Sequence, residues 1–169
     1  AKLRWMNGEY IKALPFEEFC RIAAPWLDKS VACGRYDYTL LCALLHSRTE
    51  VLSDIPAMVE FLPEVAPHDT ELYLHKKFKL TPELALSAIK LCRDALSALP
   101  SFDAASVHDC LIGVAQENGM KNGQVLWPVR VALTGLQSTP GVAVELAEIL
   151  GREETLRRLD AAIEKLSDN

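Results

Sequence analysis

Four side chains in one short stretch are the first with chemistry to offer. The segment Lys121–Gly141, KNGQVLWPVRVALTGLQSTPG, holds Trp127, Arg130, Thr139 and Pro140, with two basic residues and no acidic one. Arginine presents a planar fork of donors that suits phosphates and base edges, and an indole offers a face on which a base can stack. The turn Asn122-Gly123 leads to Pro128, a residue that disrupts a mid-helix position and suits a first turn. A helix mouth is therefore expected at Trp127, with Arg130 on the exposed side of the same turn. Ser138-Thr139-Pro140-Gly141 reads as a second helix start, with Thr139 as cap and Pro140 in the first turn. Backbone N–H groups at helix starts attract phosphate and base acceptors. Two such mouths around an arginine and an indole make a nucleotide platform. The competing reading is a core aromatic, an ordinary first-turn proline and a surface charge, and on these residues alone it carries more weight.

Covalent or acid–base catalysis finds less support. Nucleophilic chemistry needs a nucleophile, a base and a place for the developing charge. The sequence has no G-x-S-x-G elbow, no P-loop and no GxGxxG after a strand. The paired acids Glu17/Glu18 and Glu153/Glu154 fall in first turns of helical patterns, where the helix dipole explains them. His46, His68, His75 and His108 are scattered, and His46 reads as a surface histidine. Cys20, Cys33, Cys42, Cys92 and Cys110 are widely spaced, without the clustered pairs of a structural zinc site. They read as reduced thiols on helix faces. No catalytic residue and no metal ligand is assigned.

The formal net charge is −5, but it is segregated. Residues 75–93 hold five Lys/Arg against one acid, and residues 49–74 hold six acids and no Lys/Arg. A basic face is compatible with an acidic chain, because phosphate binding depends on local lysine and arginine. No apolar run approaches the roughly 20 residues of a membrane span. The start, AKLRWMNGEY, has neither an initiator Met nor a signal-like apolar core, so a soluble intracellular piece of a longer protein is expected.

The elements that must position these residues are helical, with no sustained strand alternation. Phe16, Phe19, Cys20, Ala23, Trp26 and Leu27 share one face of a helix that Pro25 should end or kink. Residues 37–48 form a second helix, and 49–62 a third broken near Pro56. The two-proline stretch LPEVAPHD is the best boundary. Thr81-Pro82-Glu83 opens a long helix to about Leu99, and Asp103 caps the next, which stops at Gly119. The helix after Pro140 ends near Gly151, and REETLRRLDAAIEKL closes the chain as a charged amphipathic helix. The fold class is all-α, a multi-helix bundle or cage in two helical subdomains.

Two longer stretches carry a resemblance. KNGQVLWPVRVALTG followed by STPGVAVELAEILGREETLRRL closely resembles the C-terminal signature of bacterial-type glutamyl-tRNA synthetases. KLRWMNGEYI resembles the segment that in this family leaves the catalytic half and enters the anticodon-binding region. The two lie at opposite ends in the family's order, and the middle (residues 50–115) matches in helix pattern and a few positions. The resemblance implies that residues 1–12 end a stem-contact segment or linker. It further implies that 13–71 and 72–169 are two helical anticodon-binding subdomains.

It also implies a function: binding the anticodon loop of tRNA(Glu) as the non-catalytic part of a glutamate–tRNA ligase in the cytoplasm. The family's HIGH and KMSKS motifs are absent. ATP and magnesium would belong to the parent's catalytic half, a further partner, and this chain alone, a monomer without cofactor, would not charge tRNA. Arg48, in LLHSRTEVL, falls where the family often has an arginine that monitors the third anticodon base, C in glutamate tRNAs and G in glutamine tRNAs. Arg130, Thr139, Pro140 and Val142 match positions lining the first-base pocket, and Trp127 occupies a variable position at the same mouth. Lys76, Lys77 and Lys79 read as a phosphate contact or a solvated loop. A helical protein–protein scaffold without RNA binding is the alternative function.

Overall fold

The structure, a computed structural model, describes residues 2–168. Every regular element among them is helical, and the described residues divide into two compact units, one up to Glu64 and one from Val65. The division falls inside the two-proline stretch, so residues 65–71 go with the second unit. Among the described residues no helix is long and apolar enough to cross a membrane.

The first unit holds α1 (Lys2–Ala13), α2 (Phe16–Asp28), α3 (Tyr38–Leu45) and the short α4 (Ile55–Met58). Phe19, Ala23 and Leu27 of α2 are buried, as the apolar stripe requires, against Leu41, Leu44 and Leu45 of α3 and Ile55 of α4 within one core. Pro25 neither ends α2 nor stops it short of Asp28. The proline is exposed, and its missing N–H costs the helix one hydrogen bond, that to the Arg21 carbonyl. Asp37 stands outside α3 as its cap, accepting from the N–H groups of Thr39 at 2.8 Å and Leu40 at 3.3 Å.

The helix expected over 49–62 is mostly absent, reduced to a 3₁₀ turn at Leu52–Asp54 and one turn of α4. Pro56 has no N–H to give the Leu52 carbonyl, so a continuous α-helix cannot pass that point intact. His46 is half-buried rather than a surface group. Its ring stacks on Phe19 at 4.6 Å between centroids, and its Nε2 lies 2.9 Å from the Ile11 carbonyl. α1 is tied into this unit by Arg4, which pairs with Glu50 and Asp54, and by the burial of Gly8 and Ile11.

The second unit is a five-helix bundle: α5 (Pro82–Ser97), α6 (Ala104–Glu117), α7 (Asn122–Thr134), α8 (Ala143–Leu150) and α9 (Arg152–Ser167). The Thr81 hydroxyl caps α5 through the Leu84 N–H at 3.3 Å, and the Asp103 carboxylate caps α6 through Ser106 at 2.8 Å. α7 runs through the middle, packing on α5, α6, α8 and α9, and buries Val125, Val129, Val131, Ala132 and Leu133.

The C-terminus of α7 is deep in the protein, where unpaired carbonyls are costly. Gly135, at φ +70°, turns the chain and donates to the Val131 carbonyl. The Ala66 N–H bonds the Thr134 carbonyl at 2.9 Å, and buried Arg158 donates from Nη1 to the Leu133 carbonyl at 2.6 Å. Arg158 Nε also donates to Glu154 at 2.7 Å, so the buried cation has an anion beside it.

All five cysteines are free thiols. Cys33 is exposed in a turn rather than on a helix face, Cys20 and Cys110 are half-buried, and Cys42 and Cys92 are buried. Burial pushes the Cys42 and Cys92 thiols up to about 12.

Candidate nucleic-acid interface

α7 begins at Asn122, so Pro128 lies inside the helix rather than in its first turn, and Trp127 is on the helix flank rather than at a mouth. Tertiary bonds hold the segment before the proline helical. The Gln124 side chain accepts from the Lys121 N–H at 2.9 Å and donates to the Phe78 carbonyl at 2.8 Å. Trp127 Nε1 donates to the Leu72 carbonyl at 3.0 Å. These bonds outweigh the single helical hydrogen bond that Pro128 removes at Gln124.

Trp127 and Arg130, three residues apart, sit on one face of α7. The guanidinium carbon of Arg130 is 4.7 Å from the centre of the Trp127 ring, a cation–π contact. Arg130 is half-buried rather than on the exposed side. Its Nη1 donates to Thr139 Oγ1 at 2.9 Å and its Nη2 to the Gln137 carbonyl at 2.7 Å. Burial draws its pKa below the ordinary guanidinium value. A guanidinium has more N–H donors than these two bonds use.

Thr139 does not cap a helix. Its hydroxyl instead accepts from Arg130 and donates to the Gly141 carbonyl at 2.9 Å. α8 starts three residues later, with Val142 as its N-cap residue, half exposed and without a side-chain cap bond. Half-buried Pro140 lies on the connection between the Arg130 brace and that helix start. Arg130 thus contacts both Trp127 and Thr139, and Pro140 and Val142 follow along the same loop. Arg48 belongs to the first unit. It is exposed in the turn after α3, and its Nη1 donates to the Leu44 carbonyl at 2.7 Å, satisfying one end of that helix.

Residues beyond the sequence expectation complete the site. His75 meets the Trp127 ring edge-on at 4.3 Å and stacks on Phe78 at 4.4 Å, and its Nδ1 is buried without a hydrogen-bond partner. A groove of about 540 Å³ is lined by His75, Lys76, Lys77, Trp127 and Gln137, with Glu71 also on its wall. The loop that carries the lysines closes through the His75–Leu80 pairing. It holds Lys79 at φ +53°, a left-handed conformation costing roughly 1–2 kcal/mol for a residue with a Cβ. The run of lysines was visible in the sequence, but no local spacing could bring residue 75 to residue 127. Among the described residues, no group of three His, Cys, Asp or Glu side chains gathers as metal ligands.

Comparison with known proteins gives a consistent result. Residues 9–163 match the family model described as the anticodon binding domain. The glutamate–tRNA ligase of Clostridium tetani is 42% identical over 167 residues, 99% of this chain and 34% of that protein. That of Lachnoclostridium phytofermentans is 43% identical over 168 residues, again 99% and 34%. The chain therefore spans about a third of the length of these curated relatives. A solved glutamate tRNA ligase from Elizabethkingia meningosepticum, in complex with its amino acid, superposes with a TM-score of 0.74 at 25% identity, covering 96% of this chain and 32% of that one.

Proposed function

The chain belongs to the anticodon binding domain family, and from that premise we propose that it docks the anticodon loop of tRNA(Glu) for a glutamate–tRNA ligase. The parent would hold the ATP and magnesium chemistry in its other two thirds and act in the cytoplasm. That part would pack on α1, where Leu3, Trp5, Met6 and Tyr10 stand exposed. This chain would supply recognition and no catalytic group.

The observation that carries the reading is the braced fork of Arg130. Two of its donors are spent on Thr139 and Gln137, which fixes the plane of the guanidinium, and Trp127 backs one face. A base brought edge-on meets the remaining donors already oriented, and a base brought face-on meets a guanidinium–indole stack. Unstacked loop bases are the part of an RNA that proteins read specifically, and an arginine on a base edge is worth roughly 1–3 kcal/mol of discrimination. Arg130, Thr139, Pro140 and Val142 would form the pocket of the first anticodon base, with Trp127 at its side. Arg48 would monitor the third base from the first unit.

Affinity for glutamate tRNA and glutamine tRNA, measured at one salt concentration, tests this. The chain should prefer glutamate tRNA, and Arg48→Gln should relax that preference. Arg130→Ala should lose more affinity on the native anticodon than on one with its first base exchanged. Equal, weak and strongly salt-dependent binding to both tRNAs would instead favour a scaffold without specific readout.

A further inference from the structure

We infer that the loop of residues 74–80 is a phosphodiester site that grips the RNA strand next to the base held at Arg130. The inference rests on the anticodon reading above and adds to it a second contact, of a different chemical class. The groove lined by Lys76 and Lys77 is walled on its other side by Trp127 and Gln137. Those are the two residues that stack on Arg130 and accept from it. A strand whose base enters the Arg130 pocket therefore has its adjoining backbone at the lysines. A second groove of about 540 Å³ shares His75 and Lys76 with the first and adds Lys79. Lys76 lines both, so a backbone passing from one to the other stays beside an ammonium group. Glu71 lines both grooves as well, leaving the three lysines in excess over one carboxylate.

The loop is held ready, and α7 does the holding. Gln124 bonds the Phe78 carbonyl, Trp127 bonds the Leu72 carbonyl and meets His75 edge-on, and the Phe78 ring lies over Gly123. A Cβ at Gly123 would come within 2.3 Å of that ring, so only glycine leaves room for it. The helix that carries the base-reading arginine thus fixes the phosphate-binding loop too. Phosphate contacts set register and base contacts set sequence, and here one element spaces the two. Gly123 and Gln124 are accordingly positioning residues: they touch no RNA and act through the loop.

The test is to titrate the chain with a glutamate-type anticodon stem-loop and with a uridine-only strand of equal length, from about 50 to 200 mM KCl. Lys76→Ala combined with Lys77→Ala should lower the slope of log affinity on log salt by about 1.4 on both RNAs, at about 0.7 for each single-strand phosphate no longer neutralised. The ratio of affinities for native and first-base-exchanged stem-loops should stay unchanged. Arg130→Ala should do the reverse, abolishing that ratio and keeping the slope. Gln124→Ala and Gly123→Ala, which retain every lysine, should reproduce the lysine phenotype in part. An unchanged slope in the double lysine variant on both RNAs overturns the site. A native chain with no anticodon preference, whose slope on the uridine strand still falls in the double variant, would overturn the base-reading proposal and leave the phosphate site standing.

Discussion

In the proposed role, Arg130 would owe its usefulness to what restrains it. Lysine at this position keeps the charge but cannot bond Thr139 and Gln137 while facing an indole. Arg130→Lys should therefore weaken binding of the native anticodon loop by roughly 1–3 kcal/mol, close to the loss from alanine. Thr139→Val, which removes one brace and keeps the shape, should cost about 0.5–1.5 kcal/mol of binding. An anticodon stem-loop titration that ranks lysine near wild type would contradict this account. The pairing of residues 130 and 139 was within reach of the sequence, because both lie in one short run around a turn. The orientation of Arg130 was not, since half-burial depends on where the loop from 135 to 142 folds back. His75 was illegible for a plainer reason. Its partner is fifty-two residues away (127 − 75) and meets it through ring packing that leaves no local signature.

Caps and prolines behave differently at the scale of the helix. Caps are local chemistry, and Thr81, Asp103 and Asp37 form the side-chain bonds their types prefer. Thr81→Ala and Asp103→Ala should each cost roughly 0.5–2 kcal/mol in urea unfolding. Prolines are also local, but their penalty is small enough for other contacts to override, as at Pro25 in water and at Pro128 among tertiary bonds. Thr139-Pro140 looked like a cap because its hydroxyl could cap, but that hydroxyl bonds Arg130 and the Gly141 carbonyl, and α8 starts three residues on. Gly135 is the position where an element has no slack. A Cβ there would sit 2.1 Å from the Ala66 carbonyl oxygen, backbone that cannot swing aside, and φ is already left-handed. Gly135→Ala should lower the unfolding midpoint more than loss of either cap.

Across the molecule, helical periodicity announced the all-α class, because an apolar stripe repeats wherever a helix must face a core. The inside of the second unit was hidden. Arg158 sits in REETLRRL, a run that reads as solvated charge, yet it is 1% exposed and paired with Glu154. Hydrogen bonds from Arg157 and then Arg158 hold the Glu154 carboxyl down at about 2 against its burial. A carboxylate with its folded pKa below the ordinary 4.5 contributes stability above that value and loses it as pH falls toward 2. Acid unfolding should steepen across that window, and Glu154→Gln should flatten the response. Glu154→Ala, which removes the carboxylate paired with buried Arg158, should cost up to roughly 3–5 kcal/mol.

The thiols offer a different use of the same interior. Cys33 is exposed, Cys20 and Cys110 are half-buried, and Cys42 and Cys92 are buried, so the folded chain should take up maleimide first at Cys33, more slowly at Cys20 and Cys110, and at Cys42 and Cys92 only on opening. A fluorophore at Cys33 then makes a reporter, and the lag before the buried thiols react becomes a clock for how often each unit comes apart.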